Sequence, residues 1–308
     1  MHPLAHAGAA DYTCSPVATT VDPGSARPRG GIILVGSAVL FAIMATAAKI
    51  ASAHVSGTET AFLRSLFGIL ACVGHHLFVQ RLVARNKVGL FLRGATGAVA
   101  VYCYFLAIEH LPVGIATLLN YTMPVFSAIW AALFYRHRLG RRTAIALVFT
   151  TVGIGAVIHG QAPPGSLGLG PWELCGMCGA ILSGLSMVFI AELRKTDGSW
   201  EIFAAFSVAC MLVAAPQAIA HWTWPGGGAW AALAVMGVAS VSAQILMTYA
   251  MREVSATLSG IVNQITPVTS LLLGLVLLGE RFGTVTSIGI ALTLFGGSLG
   301  AMLASRRA

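Results

Sequence analysis

The most restrictive feature of this sequence is the length of its uncharged stretches. Asp, Glu, Lys and Arg are all absent from four runs of the chain, 143–172, 202–251, 254–279 and 282–305. A protein folded in water keeps charged and polar side chains along its surface, so runs of this length require an apolar environment. Because 57% of the residues are apolar and only 9% are charged, the composition excludes a water-soluble globular protein.

The same runs predict helices of the length needed to cross a lipid bilayer. About 20 residues are required, since each helical residue rises about 1.5 Å and the hydrocarbon core is about 30 Å thick. We therefore predict an all-α membrane protein with ten transmembrane helices, which leaves only short connections in a chain of 308 residues. The predicted spans are 31–50, 58–79, 89–108, 113–134, 142–160, 172–192, 200–220, 229–250, 256–277 and 284–303.

The distribution of basic residues predicts the orientation of these helices. Short cytoplasmic loops carry an excess of Lys and Arg, and fifteen of the 18 basic residues fall in the tails, the even-numbered loops and the helix ends beside them. This group includes Arg93, near the start of the third helix. We therefore expect a multi-pass protein of the plasma (inner) membrane with both termini in the cytoplasm. Residues 1–29, with four prolines and no apolar block, are predicted to form a disordered cytoplasmic tail.

An internal repeat relates the two halves of the chain. Asn120 and Pro124 recur as Asn263 and Pro267, both at an offset of 143 residues. The same offset pairs four further identical residues, Arg138 with Arg281, Gly140 with Gly283, Thr143 with Thr286 and Gly153 with Gly296. The repeat predicts five-helix units at 30–160 and 171–304. Since five is an odd number, the units must enter the membrane from opposite sides, which is the inverted-repeat architecture of alternating-access transporters.

The repeated asparagines predict a polar site inside the bundle. Each lies four residues before a proline, which leaves the carbonyl one turn earlier without its helical hydrogen bond. Both stretches fall near the middle of a span, where a polar side chain facing lipid is costly. The candidate substrate-binding residues are Asn120, Tyr121, Pro124, Asn263, Gln264 and Pro267, with Tyr102, Gln244 and Tyr249 as further candidates for the lining. The alternative is that these amides only bond neighbouring helices.

Charged residues at the predicted helix ends form two candidate gates. They are Lys49, Glu59 and Glu109 on the outer side and Glu192, Glu201 and Arg252 at the related positions on the inner side. Each set could close one mouth through ion pairs; alternatively, these charges lie at helix ends only to reach water. Arg64 lies about seven residues inside its helix. It is a candidate contact for a substrate anion, or it extends to the interface and pairs with Glu59 or Glu109.

With the repeat and the Asn-x-x-x-Pro helices, the chain resembles the EamA-like members of the drug/metabolite transporter superfamily over residues 31–303. The motifs that carry the resemblance are Phe62-Leu63-Arg64, Leu92-Arg93-Gly94, Leu111-Pro112 through Pro124, and Leu278-Gly279-Glu280-Arg281. The first-half counterpart of the last motif reads Tyr135-Arg136-His137-Arg138 and lacks the acidic residue. The resemblance implies a ten-helix bundle whose central cavity is lined mainly by helices one, three, four, six, eight and nine.

These observations predict a secondary transporter that moves a small neutral, zwitterionic or amphipathic metabolite by alternating access. The resemblance implies that the cargo is an amino acid or a related compound and that the direction is export. An uptake carrier or an exchanger of the same fold is the alternative, and proton coupling stays open. An intramembrane enzyme is disfavoured because the three aspartates, Asp11, Asp22 and Asp197, all lie outside the predicted spans. We expect no cofactor, metal or nucleic-acid partner, and a monomer or weak homodimer in the lipid bilayer.

Overall fold

The computed structural model describes residues 28–134, 141–161, 170–250 and 262–304, and the regular elements in these ranges are helices. In chain order they are α1 (Pro28–Ala51), α2 (Gly57–Phe78), α3 (Lys87–His110), α4 (Val113–Asn120), α5 (Met123–Phe134), α6 (Arg141–Gln161), α7 (Pro171–Leu193), α8 (Ser199–Ala220), α9 (Gly227–Ala250), α10 (Ile265–Leu277) and α11 (Thr284–Ala304). The predicted tail up to residue 27, the motif at 135–138 and Arg252 lie outside the described residues.

Within the described ranges, seven spans are long and apolar enough to cross a membrane, judged by length and composition. They are Gly30–Ala51, Gly57–Phe78, Lys87–His110, Val113–Phe134, Pro171–Ile190, Ser199–Ala220 and Gly227–Met247, where α4 and α5 count as one span. Three shorter apolar helices, Ala144–Gly160, Ile265–Leu277 and Thr284–Leu299, fall within the remaining predicted spans. The predicted all-helical membrane fold is confirmed, whereas the count of ten spans stays a prediction.

The predicted fourth span is not one continuous helix. α4 ends at Asn120, and a turn at residues 121–122 separates it from α5. The break follows from Pro124, which has no N–H to donate to the carbonyl of Asn120 and which disfavours a helical conformation in the residue before it. The chain crosses the turn with a tighter backbone bond, since the N–H of Thr122 donates to the carbonyl of Leu119 at 3.2 Å.

A second break lies at the related position in the second half of the chain. Residues 262–263 are helical, Gln264 forms a turn, and α10 then begins with Pro267 in its first turn. The first residues of the predicted ninth span, 256–261, lie outside the described residues. Both Asn-x-x-x-Pro sequences therefore interrupt a helix, because proline removes one bond of the helical ladder.

The hydrophobic core lies between the long helices. α1 packs against α9 and α3 packs against α7, while α8 contacts both α2 and α3. The largest fully buried side chains of the main cluster include Phe105, Ile108, Leu118, Leu233 and Met236. Many other large apolar side chains are exposed on the outside of the bundle, as expected for a surface that contacts lipid.

α6 and α11 pack so closely that only glycine fits at the contact. A Cβ atom added to Gly153 would lie 2.5 Å from the backbone nitrogen of Thr293, and one added to Gly289 would lie 2.6 Å from the backbone nitrogen of Val157. Small residues permit this close approach of two helices. Gly155, also on α6, has open space where its side chain would be.

Replacement of Gly289 by Ala should therefore separate α6 from α11. The added methyl group would overlap backbone atoms rather than a movable side chain, so we expect a loss of about 1–3 kcal/mol of stability, seen as a lower thermal unfolding midpoint in detergent. Gly155→Ala is the matched control, since a Cβ there contacts nothing within 4 Å, and it should unfold at the wild-type midpoint or slightly above it because Ala favours a helical backbone over Gly. Equal midpoints for the two variants would contradict this packing.

Candidate functional site

A cavity of about 150 Å³, lined by both polar and apolar side chains, lies among the helices. This volume is on the order of ten times what one water molecule needs, so the cavity has room for a small solute. Its polar lining consists of Arg64, Arg93, Tyr104, Asn120, Tyr121, Ser183, Ser186, Gln244 and Asn263. Apolar side chains from α1, α3, α5, α7, α8 and α9 complete the wall. The lining implied by the resemblance corresponds to α1, α3, α4 with α5, α7, α9 and the span that ends with α10. In the structure α2 and α8 also line the cavity, through Arg64 and Phe206.

The two repeated asparagines line this cavity together. Asn120 lies at the end of α4 and accepts a hydrogen bond from the Ser183 hydroxyl at 3.3 Å, and Asn263 precedes the second helix break. Gln264 lies outside the lining, but its amide nitrogen donates to the backbone carbonyl of Tyr121 at 3.5 Å. This bond connects the two breaks directly. The structure therefore brings amide groups from both halves of the chain to one place.

The further lining candidates on α3 and α9 differ in position. Gln244 lines the cavity, whereas Tyr102 does not. The Tyr102 hydroxyl donates to the Gln217 side chain and accepts a hydrogen bond from the Thr58 hydroxyl, so it lies among α2, α3 and α8. Its neighbour Val101 lines the cavity instead, because successive residues of a helix point about 100° apart.

Three other candidates also lie away from the lining. Pro124 and Pro267 are located just beyond the helix breaks, where they shape the backbone without bounding the cavity. Tyr249 is 53% exposed near the end of α9. The same helix presents Gln244 and Met247 to the cavity, and position 249 falls on a different face.

Two arginines reach the cavity from α2 and α3. Arg64 is 6% exposed and Arg93 is 9% exposed. Their guanidinium carbons lie 5.5 Å and 4.4 Å from the centroid of the Phe206 ring on α8. Arg64 therefore points towards the cavity, and the alternative in which it pairs with Glu59 or Glu109 is not what the structure shows.

Arg93 lines the cavity, as do Tyr104, Ser183 and Ser186, but none of these four is among the candidates predicted from the sequence. A basic residue near the start of a helix is ordinarily counted as a cytoplasmic charge, but this side chain extends along α3 and is buried. It lies over Gly97, where an added Cβ would collide with Nη1 of Arg93. The signal available in the sequence was this spacing, since residues four apart share a helix face.

At the end of the bundle where α2 begins, which the sequence predicts to be the outer end, the gate candidates bind backbone groups. Glu109 accepts a hydrogen bond from the N–H of Gly57, the first residue of α2, at 2.6 Å. Lys49 donates to the backbone carbonyl of Glu109 at 2.9 Å. Among the described residues, the expected ion pair between the Lys49 and Glu109 side chains is not formed within 4.0 Å.

Glu59 connects the start of α2 to the segment before α9. It forms a capping box with Ser56, in which each side chain binds the other residue's backbone N–H. It also accepts hydrogen bonds from the backbone N–H and the hydroxyl of Thr223. The spacing Ser56-x-x-Glu59 is the sequence signature of such a cap. Glu59 is therefore satisfied by helix-end and loop groups.

Glu280 is a third carboxylate at the predicted outer end. It accepts hydrogen bonds from the N–H groups of Val113 at 2.5 Å and Gly114 at 3.4 Å, at the start of α4. Gly279 has φ 66°, a left-handed conformation that glycine adopts readily. Burial raises the pKa of Glu280 above its ordinary value, although the two N–H bonds and the positive charge of Lys49 act in the opposite direction.

At the opposite, predicted inner end, Asp197 holds the segment that precedes α3. Its carboxylate accepts hydrogen bonds from the backbone N–H groups of Arg85 at 2.7 Å and Asn86 at 3.1 Å. Burial acts to raise the pKa of Asp197, but the Thr196 hydroxyl and the two backbone bonds outweigh it and hold this pKa below its ordinary value. The sequence places Asp197 outside the predicted spans but gives no sign of this contact with residues more than 100 positions earlier in the chain.

The gate residues predicted at the inner end lie near this contact but do not form one cluster. Glu192 is exposed and pairs with Lys195 at 2.7 Å. Glu201 accepts a hydrogen bond from the N–H of Val83 at 3.4 Å. Arg252 lies outside the described residues. The inner contacts thus rest on carboxylates that bind backbone N–H groups, as do those at the other end.

The contact between Glu280 and α4 should weaken as the pH rises. The pKa of Glu280 is raised while its carboxyl group contacts the start of α4. Protonation of Glu280 therefore stabilises this contact, and ionisation weakens it. Hydrogen–deuterium exchange, corrected for intrinsic rates, should therefore show less protection of the Val113 and Gly114 amides above the pKa of Glu280 than below it. Glu280→Gln, which is neutral throughout, should lose this pH dependence.

Glu173→Gln is the control for this experiment, because Glu173 lies in the first turn of its own helix, α7. It should leave the pH dependence at the start of α4 unchanged. Protection of these amides that increases with pH would contradict the assigned direction.

Helices able to cross a membrane, with a cavity among them and hydrogen-bonded carboxylates near its ends, define an integral membrane protein. The model of the EamA-like transporter family matches residues 28–158 and again residues 170–300. The chain belongs to the EamA-like transporter family. The predicted family is thus confirmed, and membership places the chain among transporters rather than enzymes.

Relatives and a solved structure resemble most of the chain. It is similar to the pseudopaline exporter of Pseudomonas aeruginosa, with 28% identity over 240 residues that cover 77% of this chain and 83% of the exporter. It is also similar to an uncharacterized transporter of Helicobacter pylori, with 24% identity over 273 residues, 84% of this chain and 90% of that transporter. A crystal structure of another protein aligns with this chain at a TM-score of 0.61 and 23% identity, over 91% of this chain and 97% of the other. This likeness shows the fold alone.

Proposed function

We propose that this protein is a secondary transporter with ten membrane-spanning helices, built from two inverted repeats at 30–160 and 171–304, that moves a small metabolite by alternating access. The observation that carries the proposal is the position of Asn120 and Asn263. They come from the two halves of the chain, each lies at a helix break, and both line one interior cavity. A site between two equivalent halves suits alternating access, in which the halves exchange conformations around it.

The helix bounds and the packing support the repeat. Adding 143 to the bounds of α6 returns the bounds of α11. The same shift carries α1, α2, α3 and α5 onto α7, α8, α9 and α10 to within about three residues of each bound. The helix packing repeats in the same way. The shift turns the contact between α1 and α9 into the contact between α7 and α3, and the contact between α5 and α7 into the contact between α10 and α1.

The contacts at the two ends are the proposed gates. Glu59, Glu109 and Glu280 hold helix starts and a loop at the proposed outer end, and Asp197 and Glu201 hold the segment before α3 at the proposed inner end. In a transport cycle one set opens while the other stays closed, which requires the two states to have similar free energies. The distribution of basic residues supports cytoplasmic termini, with the tail 1–29 on that side.

The proposed substrate is a small neutral, zwitterionic or amphipathic metabolite, such as an amino acid or a related compound, and the proposed direction is export. The cavity combines two arginines, amides and hydroxyls with apolar side chains, a mixture that suits an amphipathic solute. The Pseudomonas aeruginosa relative is a pseudopaline exporter, which favours export over uptake or exchange by the same cavity.

Asn120→Ala and Asn263→Ala should each weaken substrate binding while leaving the protein folded. One neutral hydrogen bond contributes about 1 kcal/mol, so Kd should rise roughly fivefold in each variant. A thermal-shift screen of the purified protein against a metabolite library identifies the ligand, since a ligand stabilises the state it binds. Kd is then measured by titration with that metabolite. Gln80→Ala removes an exposed amide outside the cavity and should bind like the wild type.

Flux measurements distinguish a carrier from a channel. In proteoliposomes the wild type should show saturable flux of the identified metabolite, and this flux should increase when the same metabolite is present on the opposite side.

Unchanged affinity in both asparagine variants would remove these residues from the site. Linear flux without trans-stimulation would indicate a channel and would overturn the carrier mechanism.

A further inference from the structure

Two cations in the cavity have no negative partner among the residues that the structure describes. Arg64 and Arg93 are each more than nine-tenths buried, and an arginine side chain stays protonated in proteins. Within the described part of the chain, Nε and Nη1 of Arg93 have no hydrogen-bond partner, and no carboxylate lies within 4.0 Å of either guanidinium. The described residues that line the cavity include no Asp or Glu.

The protein environment offsets little of the cost of burying these charges. Both guanidinium groups lie near the same ring, that of Phe206. A cation–π contact recovers only a small part of the hydration that a buried cation loses, and two like charges near each other raise the cost further. Charged side chains in the interior of a membrane protein generally have a function, such as binding a substrate or an ion.

The backbone is also shaped to hold Arg93 in this place. α3 packs against α8 through Gly94, where an added Cβ would lie 3.2 Å from the backbone oxygen of Ala205. One turn after Arg93, Gly97 provides the space in which its guanidinium lies. Any larger residue at Gly97 would displace the charged group from the wall of the cavity.

We propose that Arg64 and Arg93 form an anion-binding subsite, and that the transported metabolite carries a carboxylate bound there beside an apolar body. This inference rests on the proposed function and narrows its substrate class. The planar guanidinium groups match the two oxygens of a carboxylate. The same cavity holds Phe41 and Met44 to contact an apolar body, and Asn120 to bind polar groups of the ligand.

Two probes of nearly equal shape test the subsite, 3-phenylpropionate and its neutral amide, 3-phenylpropionamide. Each is titrated into the purified full-length protein in detergent at neutral pH, and the thermal unfolding midpoint is recorded. The carboxylate should raise the midpoint of the wild type in a saturable manner. The amide should need at least about tenfold higher concentration for the same shift, because it cannot neutralise the two cations.

Variants separate a binding role from a structural one. Arg64→Met and Arg93→Met should each increase the half-saturating concentration of 3-phenylpropionate by about tenfold or more. Without ligand, Arg93→Met should unfold at the wild-type midpoint or above it, since an unpaired buried cation is replaced by an apolar chain of similar length. Arg194→Met is the matched control, because Arg194 is exposed and outside the cavity, and it should respond like the wild type.

Gly97→Ala provides a second variant that keeps both charges. The added methyl group displaces the Arg93 guanidinium, so the preference for the carboxylate over the amide should decrease although the net charge is unchanged. This readout is independent of the folding of the arginine variants.

Three results would overturn the subsite: no stabilisation of the wild type by the carboxylate, equal stabilisation by both probes, or an undiminished carboxylate response in Arg93→Met. Failure of the anion subsite is distinguishable from failure of the transporter. Saturable, trans-stimulated flux of an uncharged metabolite that depends on Asn120 would retain the proposed transport and exclude the anion subsite.

Discussion

This structure depends on the loss of one helical hydrogen bond at each of two prolines inside the membrane. Lipid offers no partner for a free carbonyl, so polar backbone groups in a span must be satisfied within the protein. Pro124 and Pro267 each remove one donor from a helix. The chain responds by ending one helix and beginning another, and Asn120 and Asn263 at these breaks line the interior cavity. Two of the amide groups that line the cavity thus lie at helix breaks whose prolines are 143 residues apart.

Positive and negative side chains occupy different parts of the bundle. The cations Arg64 and Arg93 lie in the cavity, whereas the carboxylates Glu59, Glu280 and Asp197 bind backbone N–H groups near its two ends. Glu109 and Glu280 bind N–H groups at the starts of α2 and α4, which have no partner within the helix and carry partial positive charge. Asp197 binds the N–H groups just before α3. The ends of the bundle are therefore held by contacts that do not compete with the central cations for partners.

Much of the cavity could be predicted from the linear sequence, but only where a pattern reports directly on depth. The repeat predicts that Asn120 and Asn263 share one interior site, and both line the cavity. Arg93 could not be placed in the same way, because the rule for basic residues counts charges near a helix end without the direction of the side chain. Tyr249 shows the converse error, since an aromatic residue near the end of a span can face inward or outward.

The sequence by itself determined the environment of this protein, its helical class and its family, because uncharged length, proline position and a fixed offset are properties of the linear chain. Only the tertiary structure decided which side chains share the cavity and which carboxylate holds which helix start. Arg93 reaches the cavity because Gly97 and the neighbouring helix α8 leave space for it, and Glu280 meets the start of α4 across 167 residues of sequence. Such contacts depend on how helices from distant parts of the chain pack, and no local pattern specifies that packing.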